Sequence, residues 1–147
     1  DPLLVRYDRH VWPVDFTRVA QPHCRALTRP PPTYALVVAE AGEGHSEAAQ
    51  RRLHALADIP NLSMPDPVSD LAAALLTEGA LPRKATDDAL HVAVCAYHGV
   101  DYLLTWNCRH IDNAEMKPLM RSVCAVHGYK CPEICTPLEL MGEDDEG

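Results

Sequence analysis

Two adjacent acids and one amide have residue types and spacing that suit metal chemistry. Asp87 and Asp88 open an apolar helical run from Ala89 to His98, and Asn107 follows a short apolar segment, 100–106. We interpret that segment as a buried parallel strand. In open α/β sheets ligands bind beyond the carboxyl ends of the strands. A carboxylate that begins a helix and an amide that follows a strand are therefore expected to converge there. Oxygen ligands from separate elements suit Mg²⁺.

The flanking segments predict the elements that position these residues. Strands are expected at 2–8, 59–64 and 133–135, and helices at 46–58, 66–78 and from about 117 to 127. Gly79, Gly99 and Gly128 are expected to end helices, and Thr136 with Glu139 has the pattern of a capping box. Alternating strands and helices predict an α/β sandwich around a parallel sheet.

The helix at 46–58 carries the most detailed packing prediction. Ser46 is expected to cap it. Its inward-facing residues are predicted to be Ala49, Leu53, Leu56 and Ala57. Arg51 and Arg52 are expected on its solvent-exposed face, where they are also available to phosphate groups.

Several stretches of the chain resemble the PIN-domain ribonucleases, and most closely the toxins of bacterial VapC-type toxin–antitoxin pairs. The resemblance is carried by residues 88–93, 100–107 and 108–111, together with Asn113. The C-terminal segment 134–141 is similar to the same branch of the family. The resemblance extends over about Leu36 to Met141. It implies a single PIN-like domain over residues 1–147, with a three-layer α/β/α fold around a mainly parallel sheet and an acidic tail at 142–147.

The resemblance also implies roles for individual residues. The family binds metal through an acid at the head of this helix and has Asp or Asn after the strand, which correspond to Asp88 and Asn107. The apolar segment that contains Glu40 is similar to the element that carries a metal-binding glutamate. The family's first acid falls on Asp8, with Asp15 as the alternative. Glu40, Asp88 and Asn107 would be catalytic. Together with Asp8 they would bind Mg²⁺, for which Mn²⁺ can substitute.

Two histidines lie close to these positions in the sequence. His91 falls within the apolar helix and is predicted to be a packed, hydrogen-bonded residue rather than a base. His110 follows Arg109 in a loop near the expected site, and it is interpreted as an exposed residue with RNA contact as the alternative.

Residues 1–35 depart from the family pattern. Pro13, Pro22 and the run Pro30–Pro32 exclude a regular helix or a central strand there, whereas family members usually have continuous helices in this region. The departure supports an alternative hypothesis, a catalytically inactive PIN-like protein that binds a partner or is a remnant.

A structural zinc module is a further alternative. Cys124-x-x-His127 followed by Cys131-x-x-x-Cys135 is close to the spacing of structural zinc ligands. In that case the C-terminal part would be an interaction module without catalysis.

The charge composition of the chain is relevant to whether it binds nucleic acid. The net charge of −8 is unusual for a protein whose affinity depends on neutralising phosphates, although the cations of a metal-dependent nuclease supply positive charge locally. No signal peptide or membrane-spanning run is apparent. We therefore expect a cytoplasmic, reduced location in which the six cysteines do not form disulfides.

The resemblance as a whole implies a function. It is that of a Mg²⁺-dependent endoribonuclease, the toxin of a type II toxin–antitoxin pair. RNA would be its substrate, a cognate antitoxin its protein partner, and a homodimer its assembly.

Overall fold

The computed structural model describes residues 3–5, 33–58 and 61–140. The elements, in chain order, are β1 Leu3–Val5, β2 Thr33–Tyr34, α1 Ala35–Ala41, α2 Ser46–Leu56, β3 Asn61–Leu62, α3 Asp66–Thr77, α4 Thr86–Tyr97, β4 Tyr102–Leu104, α5 Met116–Val126, β5 Glu133–Cys135 and α6 Pro137–Leu140. Asp8 and Asp15, the two candidates for a first acid, lie outside the described residues. So does most of the proline-rich segment.

The strands pair in parallel, as the sequence predicts. β1, β4 and β5 form one sheet in that order, with Leu4 and Ile134 both in register with Leu103 of the central strand. β2 pairs with β3 in a separate two-stranded sheet. Parallel neighbours need a crossover connection, and α5 lies between β4 and β5 in the chain. The described residues therefore have a mixed α/β architecture.

Helix α4 lies in the core together with α3. Positions 88, 89 and 91–96 of α4 are all buried, which is the pattern of a helix enclosed on most sides. Many of these residues are small, and α3 packs closely against α4. Gly99 follows α4 with φ of 64°. Glycine adopts this left-handed conformation readily, so the chain reverses there toward β4.

The predicted element bounds differ from the observed ones mainly in length. The central strand is shorter than the predicted segment 100–106, whereas the last strand, Glu133–Cys135, has the predicted bounds. One half of the capping box is confirmed, because the backbone N–H of Thr136 donates to Glu139 Oε2 at 2.6 Å. The backbone N–H of Glu139 donates to the carbonyl oxygen of Thr136 at 3.1 Å. In the part of the chain that the structure describes, no helix has both the length and the apolar character needed to cross a membrane.

The packing prediction for α2 is partly wrong. Ala49 and Leu56 are buried, but Leu53 and Ala57 are exposed. Ser46 is the first helical residue, and the N-cap position belongs to His45, which makes no side-chain capping bond.

The expected solvent-exposed position of Arg52 is also wrong. Arg52 is 6% exposed. Its Nε donates to the carbonyl oxygen of Ala41 at 2.9 Å, and its Nη2 donates to the carbonyl oxygen of Glu43. A helix leaves its last carbonyl groups without intrahelical partners. The guanidinium turns inward because it satisfies acceptors at and just beyond the end of α1. Arg51 is exposed, as predicted.

Candidate functional site

The structure brings Asp88 and Asn107 together. Asp88 lies in the first turn of α4 and is 8% exposed. Asn107 follows β4, and its Nδ2 donates to Asp88 Oδ1 at 3.1 Å. The carboxylate that begins the helix and the amide that follows the strand therefore meet at the carboxyl end of the central strand of a parallel sheet.

Thr105 fixes the path of the chain between β4 and Asn107. Its backbone N–H donates to the carbonyl oxygen of Cys135 at 3.0 Å, which extends the pairing with β5 by one bond. Its buried hydroxyl accepts a hydrogen bond from the backbone N–H of Asn107 at 3.0 Å. A threonine that accepts from the residue two positions on stabilises a local turn. Thr105 was not singled out from the sequence, although its position two residues before Asn107 is a recognisable signal for that turn.

His110 is part of the same site, so its assignment as a merely exposed loop residue is wrong. Its Nδ1 lies 2.8 Å from Asp88 Oδ2, and its side chain is 25% exposed. Its backbone N–H donates to Asn107 Oδ1 at 3.0 Å. Since an ionised carboxylate can only accept, Nδ1 carries the proton in this contact.

The side chain of Glu40, on α1, contacts α4 through a hydrogen bond with His91. The Glu40 carboxylate on α1 accepts from Nε2 of His91 at 3.0 Å; the Glu40 side chain is 18% exposed and that of His91 is 0% exposed. The prediction that His91 is packed and hydrogen-bonded is confirmed. His91 lies three residues after Asp88, so the two side chains project from neighbouring positions on one face of α4. Glu40 therefore contacts the face of α4 that carries Asp88. Glu40 is hydrogen-bonded to His91, and Asp88 is hydrogen-bonded to His110.

The donor atoms suit Mg²⁺ in type. Glu40, Asp88 and Asn107 supply carboxylate and amide oxygens, and magnesium sites in proteins commonly use one or two carboxylates and keep several waters. Within residues 3–5, 33–58 and 61–140, no group of three or more His, Cys, Asp and Glu side chains could hold a metal ion.

The loop after Asn107 is closed by an ion pair. Lys117 Nζ lies 2.7 Å from Asp112 Oδ1, with the carboxylate side chain only 9% exposed. Lys117 also donates to the carbonyl oxygen of Ile134 at 3.4 Å. The backbone N–H of Asp112 donates to the carbonyl oxygen of Asn107 at 2.8 Å. The hydrogen bond from Lys117 to Asp112 raises the pKa of the lysine above its usual 10.5. This pair ties the loop that carries His110 to both α5 and β5.

The cysteine and histidine residues with zinc-like spacing do not form a metal site. His127 Nε2 lies 2.6 Å from Glu78 Oε1 on the surface. Cys124 is buried in α5 and Cys135 in β5. Cys124 interacts with Cys131 instead: the hydrogen bond between their thiols lowers the pKa of Cys124 and raises that of Cys131.

Comparisons with protein-family models, with curated proteins and with solved structures found no match to this chain. The fold and the site define the class as a mixed α/β protein with an acid–amide pair at the carboxyl end of its central strand.

Proposed function

We propose that this chain is a Mg²⁺-dependent endoribonuclease of the PIN-domain type, the toxin of a VapC-like toxin–antitoxin pair. The observation that carries the proposal is the 3.1 Å contact between Asp88 and Asn107. It unites the two residues that the family resemblance marks. It also lies beyond a parallel strand, where α/β proteins bind their ligands. The three-layer arrangement, the homodimer, the antitoxin and the cytoplasmic location belong to the same proposal.

The proposed roles follow from the chemistry of each side chain. Asp88 and Glu40 would hold the ion, and Asn107 would orient a water or a phosphate oxygen by hydrogen bonding. When bound, a divalent cation supplies a more acidic water and neutralises charge on the phosphodiester. Asp88 is largely withdrawn from solvent, and a poorly solvated carboxylate attracts a cation more strongly than an exposed one.

Three exposed positive side chains lie close in sequence to the proposed site residues. Arg83 and Lys84 precede α4 and are exposed, and Arg109 is exposed in the loop between Asn107 and His110. Contacts to phosphates set the position and orientation of a nucleic acid without reading its sequence. These three residues would draw the RNA backbone toward Asp88.

A second candidate is a catalytically inactive PIN-like protein that binds a partner. The observation in its favour is that both acids are already paired with histidines, Glu40 with His91 and Asp88 with His110. Such pairs are also what a purely structural polar network would contain. In that case the same contacts would stabilise the fold and no phosphodiester would be cleaved.

The deciding experiment is RNA cleavage with Mg²⁺ or Mn²⁺, with EDTA as the chelation control. Asp88→Ala is compared with Asp87→Ala, because Asp87 lies in the same helical turn but is exposed. Loss of a residue that only supports a metal ligand costs about 10–100-fold in activity. Asp88→Ala should therefore lower cleavage by at least about 100-fold, and Asp87→Ala by less than about threefold.

Folding of each variant is verified by circular dichroism, so that a loss of activity is not a loss of structure. If the folded wild-type protein cleaves no RNA with either metal, the nuclease proposal fails and the inactive candidate stands. Equal losses in the two variants would also count against a specific role for Asp88.

A further inference from the structure

Asp88, Asn107 and His110 form a closed ring of hydrogen bonds. Asn107 Nδ2 donates to Asp88 Oδ1 at 3.1 Å, and His110 Nδ1 donates to Asp88 Oδ2 at 2.8 Å. The backbone N–H of His110 donates to Asn107 Oδ1 at 3.0 Å. Each of the three residues therefore contacts the other two, and His110 takes part through both its side chain and its backbone.

This ring defines the orientation of the Asp88 carboxylate and the Asn107 amide relative to each other. Both oxygens of the Asp88 carboxylate accept a bond from a defined direction. The Asn107 amide has its nitrogen toward Asp88 and its oxygen toward the His110 backbone, so it cannot flip without losing both bonds. The ring also determines the histidine tautomer, with the proton on Nδ1 and Nε2 on the other side of the imidazole.

We propose that His110 is a positioning residue: it holds the Asp88 carboxylate and the Asn107 amide in the mutual orientation that binds the cation. This inference rests on the proposed function for its consequence in metal binding, but the positioning itself is a property of the metal-free protein. His110 acts through Asp88 and Asn107. Residues that hydrogen-bond to metal ligands in this way typically affect metal affinity by about 10–100-fold.

Two substitutions test which nitrogen of His110 matters. The amide nitrogen of asparagine reaches about as far as Nδ1 of histidine, whereas that of glutamine reaches about as far as Nε2. His110→Asn should therefore keep the donor to Asp88, and His110→Gln should not. Both replacements are polar and both leave the backbone N–H that donates to Asn107 in place.

The first readout is NMR spectroscopy of the metal-free protein. In the wild type, ¹⁵N spectra at pH 8 should report the Nδ1-protonated tautomer of His110. The Asn107 side-chain NH₂ should give two well-separated proton signals, because one proton is bound to Asp88. His110→Asn should preserve this separation, and His110→Gln should move the signals toward those of a solvent-exposed amide.

The second readout is Mn²⁺ affinity, measured by electron paramagnetic resonance. We expect His110→Gln to weaken binding by about 10–100-fold and His110→Asn by less than about threefold. RNA cleavage should follow the same order, mainly through the metal concentration needed for half-maximal rate.

The outcomes separate this inference from the proposed function. An Nε2-protonated His110 in the wild type would overturn the positioning role even if neither variant folds. Equal Asn107 spectra in the two variants would also overturn it, as would equal Mn²⁺ affinities of the two variants when the wild type binds Mn²⁺. If the Asn107 signals discriminate between the variants but the wild type binds no Mn²⁺ and cuts no RNA, the proposed function fails and the orienting role in the metal-free protein stands.

Discussion

The two acids of the candidate site are stabilised by histidines. Glu40 is paired with the fully buried His91, and Asp88 with His110. A histidine donates through a ring N–H, so each contact defines the direction from which one carboxylate oxygen accepts.

The cysteines differ strongly in their surroundings. Burial raises the pKa of Cys95 and raises that of Cys135 to about 12. Cys131 also has a raised pKa, because its thiol donates to Cys124, whose own pKa is lowered by that bond. Cys124 is nevertheless fully buried, whereas Cys108 is exposed in the loop after Asn107.

Alkylation at pH 8 should therefore select Cys108 among the described cysteines. A thiol with a pKa near 12 is a thiolate in only about one molecule in ten thousand at this pH, and the thiolate is the reactive form. Cys124 should be protected by burial despite its lowered pKa. Iodoacetamide labelling followed by peptide mass spectrometry gives the order in which the thiols react. The control is urea-denatured protein, in which the five thiols should react alike. Labelling of Cys135 as fast as Cys108 would contradict the assignment.

At the level of elements, α1 depends on a side chain from α2. Arg52 donates to the carbonyl oxygens of Ala41 and Glu43, and Glu40 lies in the last turn of α1. Hydrogen bonds from charged groups contribute about 1.5–3 kcal/mol each. We expect Arg52→Met to lower the free energy of unfolding by about 2–3 kcal/mol, because the two carbonyl groups lose their donor while the methionine retains the packing.

Arg51→Met is the matched control, since Arg51 is the exposed neighbour on the same helix. It should change the free energy of unfolding by no more than about 0.5 kcal/mol. Urea unfolding followed by circular dichroism measures both variants. Similar effects of the two substitutions would show that Arg52 acts only as a surface residue.

The Lys117–Asp112 pair makes a second prediction at this level. Lys117→Met leaves the mostly buried Asp112 without its cation and should cost about 2 kcal/mol of stability at pH 8. The pKa of Lys117 is raised in the folded protein. Its contribution is therefore fully present below the unfolded-state pKa near 10.5 and is lost as the pH rises through the folded-state value.

Urea unfolding at pH 8 and at about pH 11 tests both parts of this prediction. The difference between wild type and Lys117→Met should shrink at the higher pH, and Lys130→Met, at an exposed lysine, should have little effect at either. A stability difference between wild type and Lys117→Met that grows with pH would be opposite to the expected trend. It would exclude the Lys117–Asp112 ion pair as the cause of the difference.

The sequence predicted the central elements because their signals are local. Within twenty residues lie the apolar run of α4, the glycine after it and the apolar segment of β4. Because ligands in open α/β sheets bind beyond the carboxyl ends of the strands, Asp88 and Asn107 could be expected to meet there. Arg52 and His110 were assigned wrongly because their hydrogen-bond partners depend on how separate elements pack together. Arg52 turns inward only because α1 ends beside it, and His110 contacts Asp88 across 22 positions of the chain. Composition and periodicity do not encode such pairings.

For the molecule as a whole, a net charge of −8 opposes compaction through self-repulsion. A cation that binds only the folded protein stabilises it by mass action, by about 2.7 kcal/mol at a concentration one hundred times its dissociation constant. For a chain of this size that corresponds to a rise in melting temperature of roughly 5–10 °C. Under the proposed function, Mn²⁺ should raise the melting temperature of the wild type and EDTA should reverse the effect.

The variants at the head of α4 distinguish a site from a diffuse ion atmosphere. Asp88→Ala and Asp87→Ala change the net charge equally, so any general screening by Mn²⁺ affects them alike. Because Asp88 is the proposed ligand, its variant should lose the Mn²⁺-dependent rise, whereas Asp87→Ala should keep it. Differential scanning fluorimetry in about 0.15 M salt, which screens exposed charges beyond roughly 8 Å, makes the comparison. An equal rise in both variants would mean that Mn²⁺ stabilises the acidic surface as a whole and that Asp88 holds no ion.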